Sequence, residues 1–171
     1  IRFRSIFIEK PAVRMPGLSI IRVAVHRHAP KLTSLKPHTH PNSQMLLYLS
    51  GEGLQHFGSC TARVTPGTLV LIPSDVVHYF VRSGSRAPLC LMINFCFKRK
   101  DKVPVVRLLN RSEISRIRHC LAAMTKSHSS GELDCDGSVQ VINMLLIAMR
   151  AGGWLKPLNP AQSQGKGRVV D

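Results

Sequence analysis

Hydrophobic positions along the chain follow two different periods, and the change falls near Pro104. From about Leu18 to Phe97, short β-branched or alternating runs succeed one another: Ile20 to His26, Met45 to Leu49, Ala62 to Thr65, Leu69 to Ile72, Val76 to Val81 and Leu89 to Phe97. They are broken at Pro30, Ser50 to Gly53, Pro66-Gly67, Pro73 to Asp75 and Ser83 to Ser85. Short strands between turn residues predict an antiparallel sandwich or barrel. Beyond Pro104, Ile114, Ile117, Leu121 and Met124 recur at helical steps, and Val139, Ile142, Leu145, Leu146 and Met149 repeat the pattern. This predicts two antiparallel amphipathic helices, over 112–126 and 138–151, joined by a polar turn from His128 to Asp136. Ser112 or Asn110 can cap the first, and Gly152-Gly153 can end the second. The apolar stripe of the pair either packs on the barrel or pairs with a second copy of the chain.

The ends carry no such period. Residues 1–12 form an arm or a first strand, and 156–171, a Pro/Gln/Ser/Gly stretch, read as a linker leading to a further domain. The division expected is therefore 1–12 arm, 13–103 barrel, 104–155 helical pair and 156–171 linker. A chain opening on Ile1 is expected to be a piece of a longer protein. No leader is expected, because Arg2, Arg4 and Glu9 interrupt the start. The longest apolar helical candidate, Val139 to Met149, is too short for a bilayer, so no membrane partner is expected and the domain is placed in the cytoplasm.

Composition modifies this picture in two respects. The five cysteines include no CxxC pair, which favours buried free thiols in a reducing compartment over a disulfide framework or a cysteine zinc site. Twenty-four Lys and Arg face nine acids, a net charge of +15, which attracts nucleic acid or small anions. The basic run from Lys98 to Lys102 contains no stacking aromatics, so a solvated basic surface is the plainer reading.

Candidate chemistry lies between Lys36 and Phe80. His38 and His40, two apart on an extended chain, project from one face, and Gln44 keeps the same parity. His78, on a later strand, can close the set if a barrel folds it opposite. Three imidazoles and a side-chain oxygen suit Zn, Ni, Fe or Mn, with open positions for a ligand; the alternative is a metal-free pocket in which the rings bond an organic effector. Tyr48 and Asn94 are candidate ligand contacts in the same interior. His26, His28, His56, His119 and His128 are read as surface or hydrogen-bonded residues.

The spacing His38-x-His40, Gln44, Gly51 resembles the first cupin motif, and Gly67, Pro73-x-Asp75, His78 resembles the second. The resemblance implies a mainly β fold, the double-stranded β-helix or jelly-roll barrel of cupins, with a metal or ligand inside. Two positions depart from the family pattern: Gln44 stands where an acidic ligand is usual, and Asp75 where Gly is usual. An amide leaves a divalent site its full charge, which favours an anionic ligand, and removes a general base. The barrel, helix pair and linker, with the wording of 44–53, 67–80 and 93–95, resemble the N-terminal half of AraC-type transcription regulators. That resemblance implies a small-molecule effector, a homodimer through 112–126 and 138–151, DNA contact only through a separate C-terminal domain, and no catalytic residues. The rival is a metal-dependent cupin enzyme, a dioxygenase or sugar isomerase, using His38, His40, Gln44 and His78.

Overall fold

The computed structural model describes residues 5–9, 11, 13–29, 33–98, 103–127 and 132–155. The strands are β1 Ile6–Glu9, β2 Arg14–Met15, β3 Leu18–Arg27, β4 Ser43–Ser50, β5 Gly53–Phe57, β6 Cys60–Val64, β7 Thr68–Ile72, β8 His78–Arg82, β9 Leu89–Phe97 and β10 Val105–Leu108. Helices α1 Arg111–Ser127 and α2 Cys135–Ala151 follow. The larger sheet runs β1-β3-β9-β4-β7-β10, with β2 on β3, and faces a three-stranded sheet β6-β5-β8. All pairings are antiparallel. The mainly β barrel followed by two helices is thus the architecture observed. The predicted linker 156–171, His128 and most of the Lys98 to Lys102 run lie outside the described residues.

Strand period sorts the apolar side chains into two cores. On β4, Met45 and Leu47 point to the outer face of the large sheet, while Gln44, Leu46 and Tyr48 point inward. On β9, Leu91, Ile93 and Phe95 take the outer face, opposite in parity to Cys90, Met92 and Asn94. Against that outer face the helices lay Ile117, Met124, Val141, Leu145, Ala148 and Met149, all at most 1% exposed. The second core, with Tyr48, Phe57, Val64, Val70, Ile72 and Phe80, fills the barrel. Each fully buried side chain of this size contributes about 1.5–3 kcal/mol.

The inner part of the helix stripe is therefore buried within the chain. Of the apolar residues expected at a dimer contact, Ile117, Met124, Leu145 and Met149 are buried in the core shared by the large sheet and the two helices, and Val139 remains 45% exposed. Asn110 caps α1 through a reciprocal box: it accepts from Glu113 N–H (2.9 Å), and the Glu113 carboxylate accepts from Asn110 N–H (2.9 Å). Asp134, which sequence reading left in the polar turn, caps α2 by accepting from Gly137 N–H at 2.7 Å. The cysteine expectation needs a correction. All five are free, but only Cys90 and Cys120 are buried, while Cys60, Cys96 and Cys135 sit at turn-facing or outward positions and are exposed.

Candidate functional site

His38 and His78 meet through the backbone before their rings are considered. The segment leading into β4 forms isolated antiparallel bridges to β8 at Ser34–Val81 and at His38–His78, the latter with His38 N–H donating to His78 C=O (3.1 Å) and His78 N–H to His38 C=O (3.0 Å). Residues directly opposite in such a pair carry neighbouring side chains. Two residues on, His40 accepts at its carbonyl from Asp75 N–H (3.0 Å), which ties the first histidine segment to the turn before β8. The ring centroids are 4.4 Å apart for His38 and His78, 4.8 Å for His40 and His78, and 6.2 Å for His38 and His40.

Each ring is held by the same device. Nδ1 of His38 lies 2.8 Å from Lys36 C=O, that of His40 2.6 Å from Asn42 C=O, and that of His78 2.8 Å from Val76 C=O. A carbonyl only accepts, so each Nδ1 carries the proton and donates, and the lone pair of the neutral ring falls on Nε2. The Nε2 atoms of His40 and His78 are buried and have no partner. Burial, with the neighbouring His38 and His40 adding to it, pulls the His78 pKa down to about 4, against an opposing hydrogen bond to Val76. His78 is thus neutral at pH 7, with its lone pair available. Among the described residues no group of three or more His, Cys, Asp or Glu side chains is arranged, as it stands, to hold a metal ion.

Beside the rings lies a cavity of about 110 Å³, lined by His38, Gln44 and His78 and by Tyr48, Gln55 and Met92 among others. That is room for a few water molecules or a ligand of comparable size. Gln44 is 7% exposed, and its Nε2 donates to Asn94 Oδ1 at 3.1 Å and approaches Met92 Sδ at 3.3 Å. The amide thereby keeps Oε1 as its remaining acceptor. Asn94, expected as a ligand contact, is not among the cavity-lining residues; it stands behind Gln44 and orients it. Tyr48 lines the cavity, but its hydroxyl is committed to Gln55 Oε1 (2.8 Å), and Gln55 in turn donates to Tyr79 C=O (3.0 Å).

The reading of His26 and His28 as surface or simply hydrogen-bonded residues is corrected. Both line the cavity, stacked on each other at 5.5 Å, with His28 edge-on to Phe80 at 5.1 Å. Burial lowers both pKa values, and His28 falls to about 4 with further help from His26 and Arg82. The signal was present, since His26, paired to inward-facing Cys90 at the end of β3, and His28, just past that end, are two apart as His38 and His40 are. Gln55, Cys90 and Met92 were missed as well, because uncharged inward residues of a strand look like core. His56 conforms to the expectation, bonded to Thr61 Oγ1 (2.8 Å) and stacked on Tyr79.

Two turn positions frame the site. Asp75 adopts φ 62°, a left-handed conformation that side chains disfavour and Asp tolerates better than most. Gly51 sits at φ 78°, where an added Cβ would lie 2.6 Å from Pro88 Cα.

Comparison with known proteins agrees with the fold. Residues 24–94 match the family model described as the cupin domain. No curated protein matches the chain's sequence. Among solved structures, the protein YhaK from Escherichia coli is 15% identical, with 63% of this chain and 52% of that chain covered and a TM-score of 0.51. The match thus spans about half of YhaK. A cupin 2 conserved barrel domain protein from Salinispora arenicola is 13% identical over 53% of this chain and 73% of that one, with a TM-score of 0.42. A variant of oxalate decarboxylase from Bacillus subtilis is 14% identical over 49% and 22%, with a TM-score of 0.40. At 15% identity the likeness to YhaK is one of fold alone.

Proposed function

From a cupin domain over residues 24–94, we propose that this chain is the effector-sensing and dimerisation part of an AraC-type transcription regulator. In this reading the barrel holds a divalent metal between His38, His40 and His78, with Gln44 Oε1 as a further donor. The observation that carries it is the clustering of the three rings around His78, with the buried Nε2 atoms of His40 and His78 left without a partner. With Nδ1 of all three rings bonded to carbonyls, the lone pairs fall on Nε2, and a cation is a partner that would satisfy them together. A bare carboxylate would meet acceptors and no donors. When bound, the metal supplies positive charge and open coordination positions, so a small anionic effector joins there.

Sensing is favoured over turnover by what surrounds the histidines. None of the cavity-lining residues is acidic. Where a carboxylate base could stand, Gln44 offers an amide held by Asn94. His78, with its pKa near 4, is a weak base at neutral pH. The effector's differential affinity for two arrangements of barrel and helices would shift a dimer, and DNA would be read by a separate C-terminal domain. The second reading, a metal-dependent cupin enzyme, rests on the same imidazole set.

The test is made on protein purified without a polyhistidine tag. Native mass spectrometry of the wild type should reveal a co-purified metal or small acid. The full-length gene product should bind a specific DNA duplex with an affinity that changes when that ligand is added. Turnover of a carboxylate or sugar substrate by the metal-loaded chain, with no DNA binding by the full-length product, would replace this reading with the enzymatic one.

A further inference from the structure

We propose that the seam between α1 and α2 is a second ligand site, separate from the barrel, that takes a small phosphate-bearing dianion. A cleft of about 790 Å³ opens there, where the first half of α1 lies beside the last turns of α2. Arg116 and His119 line it from α1, Asn143 and Arg150 from α2, and Arg107 from β10. The spacing is the helical one: Arg116 and His119 are three apart, Asn143 and Arg150 seven apart, so each helix turns one polar face to the seam.

The charge count decides what the cleft prefers. Glu113 is the one acidic residue in its lining. Both its oxygens are engaged, one by the Asn110 N–H that starts α1 and one by Arg107 at 3.4 Å. Arg107 also donates to Ala151 C=O at the end of α2, and Arg150, in the last turn, complements the same helix end. These two have structural uses. Arg116 has none: it sits in the first half of α1, where a positive residue opposes the helix dipole, and it forms no ion pair with an acid among the described residues. The guanidinium groups of Arg116 and of Arg150, neither in an ion pair among the described residues, join an imidazole and an amide in a donor-rich cleft of the kind that binds phosphate oxygens bidentately. The overall charge of +15 adds a field that concentrates anions.

The experiment uses the whole chain, stripped with EDTA and exchanged into buffer, so that phosphate cannot report on a barrel metal. Sodium pyrophosphate, inorganic phosphate and succinate are titrated against sodium chloride at matched ionic strength, with thermal melting and calorimetry as readouts. The phosphates should raise the melting temperature and bind saturably. Arg116→Gln with Arg150→Gln, both exposed positions, should weaken binding by about tenfold or more. Hydrogen exchange should slow in 113–120 and 143–151 on phosphate addition. No response beyond chloride, binding by succinate alone, or an undiminished response in the double variant would each overturn the proposal. Should the variant fold poorly, protection elsewhere in the wild type, with none at these two segments, would do the same.

Discussion

At the scale of single residues, the centre of the molecule is a set of imidazoles whose tautomers are fixed by main-chain carbonyls. Breaking the arrangement behind Gln44 should be costly. Asn94→Leu leaves the buried Gln44 amide without its acceptor, and denaturant titration should show a loss of about 1–3 kcal/mol. Acid should act through His28 beside them. Its folded pKa, about 4, lies below the unfolded value near 6.5, so the unfolded chain binds the proton first. The stability His28 gives is complete above pH 6.5 and lost as pH falls toward 4. The melting temperature should fall across that window, and His28→Gln should flatten the fall; an equal slope would assign the acid sensitivity elsewhere. Asp75, at φ 62°, is a position that Gly fits better. Asp75→Gly should hold or raise stability, while Asp75→Val lowers it by about 1–2 kcal/mol. Of the candidate site, the motif histidines and Gln44 were legible from spacing and parity. The placement of Asn94 behind Gln44 was not, because which inward residue reaches the cavity depends on strand twist and on its neighbours' size. His26 and His28 escaped notice because no second motif drew attention to β3.

At the scale of elements, the strands with alternating or unbroken apolar runs, β3, β4, β7 and β9, were readable, since their period is set by the pleat. Strand β5 was not: Gln55 and His56 interrupt its apolar pattern, and Gln55 is buried only because Tyr48 and Tyr79 supply its partners. Strand β10 was hidden by its position just after the period change and before α1. Sequence also left open whether the helical stripe meets the barrel or a second copy. The structure resolves the inner residues of that stripe: Ile117 and Leu145 are wholly buried in the core that the large sheet and the two helices share. Leu145→Asp should therefore unfold or severely destabilise the chain, by more than the roughly 2–5 kcal/mol of a buried Leu→Ala change. An intact, merely monomeric product would contradict that packing. A homodimer through the helix pair, still a proposal, must use outward positions such as Val139, which is 45% exposed. Val139→Asp should weaken self-association in analytical ultracentrifugation while leaving the melting temperature nearly unchanged.

At the scale of the whole molecule, the two sheets and the helix pair divide the work. The large sheet carries the helices on one face and the histidine cavity on the other, so a ligand in the cavity and a partner on the helices would act on opposite faces of the same strands. The described residues contain no helix long and apolar enough to cross a membrane. The proposed barrel site depends on lone pairs from His38, His40 and His78 being directed at one cation. The most direct test is the elemental content of tag-free protein after metal loading and desalting, for the wild type and for His40→Ala and His78→Ala. About one divalent ion per wild-type chain is predicted, falling well below that in both variants while each stays folded by circular dichroism. Metal well below stoichiometric in the wild type, or unchanged by either substitution, would contradict it.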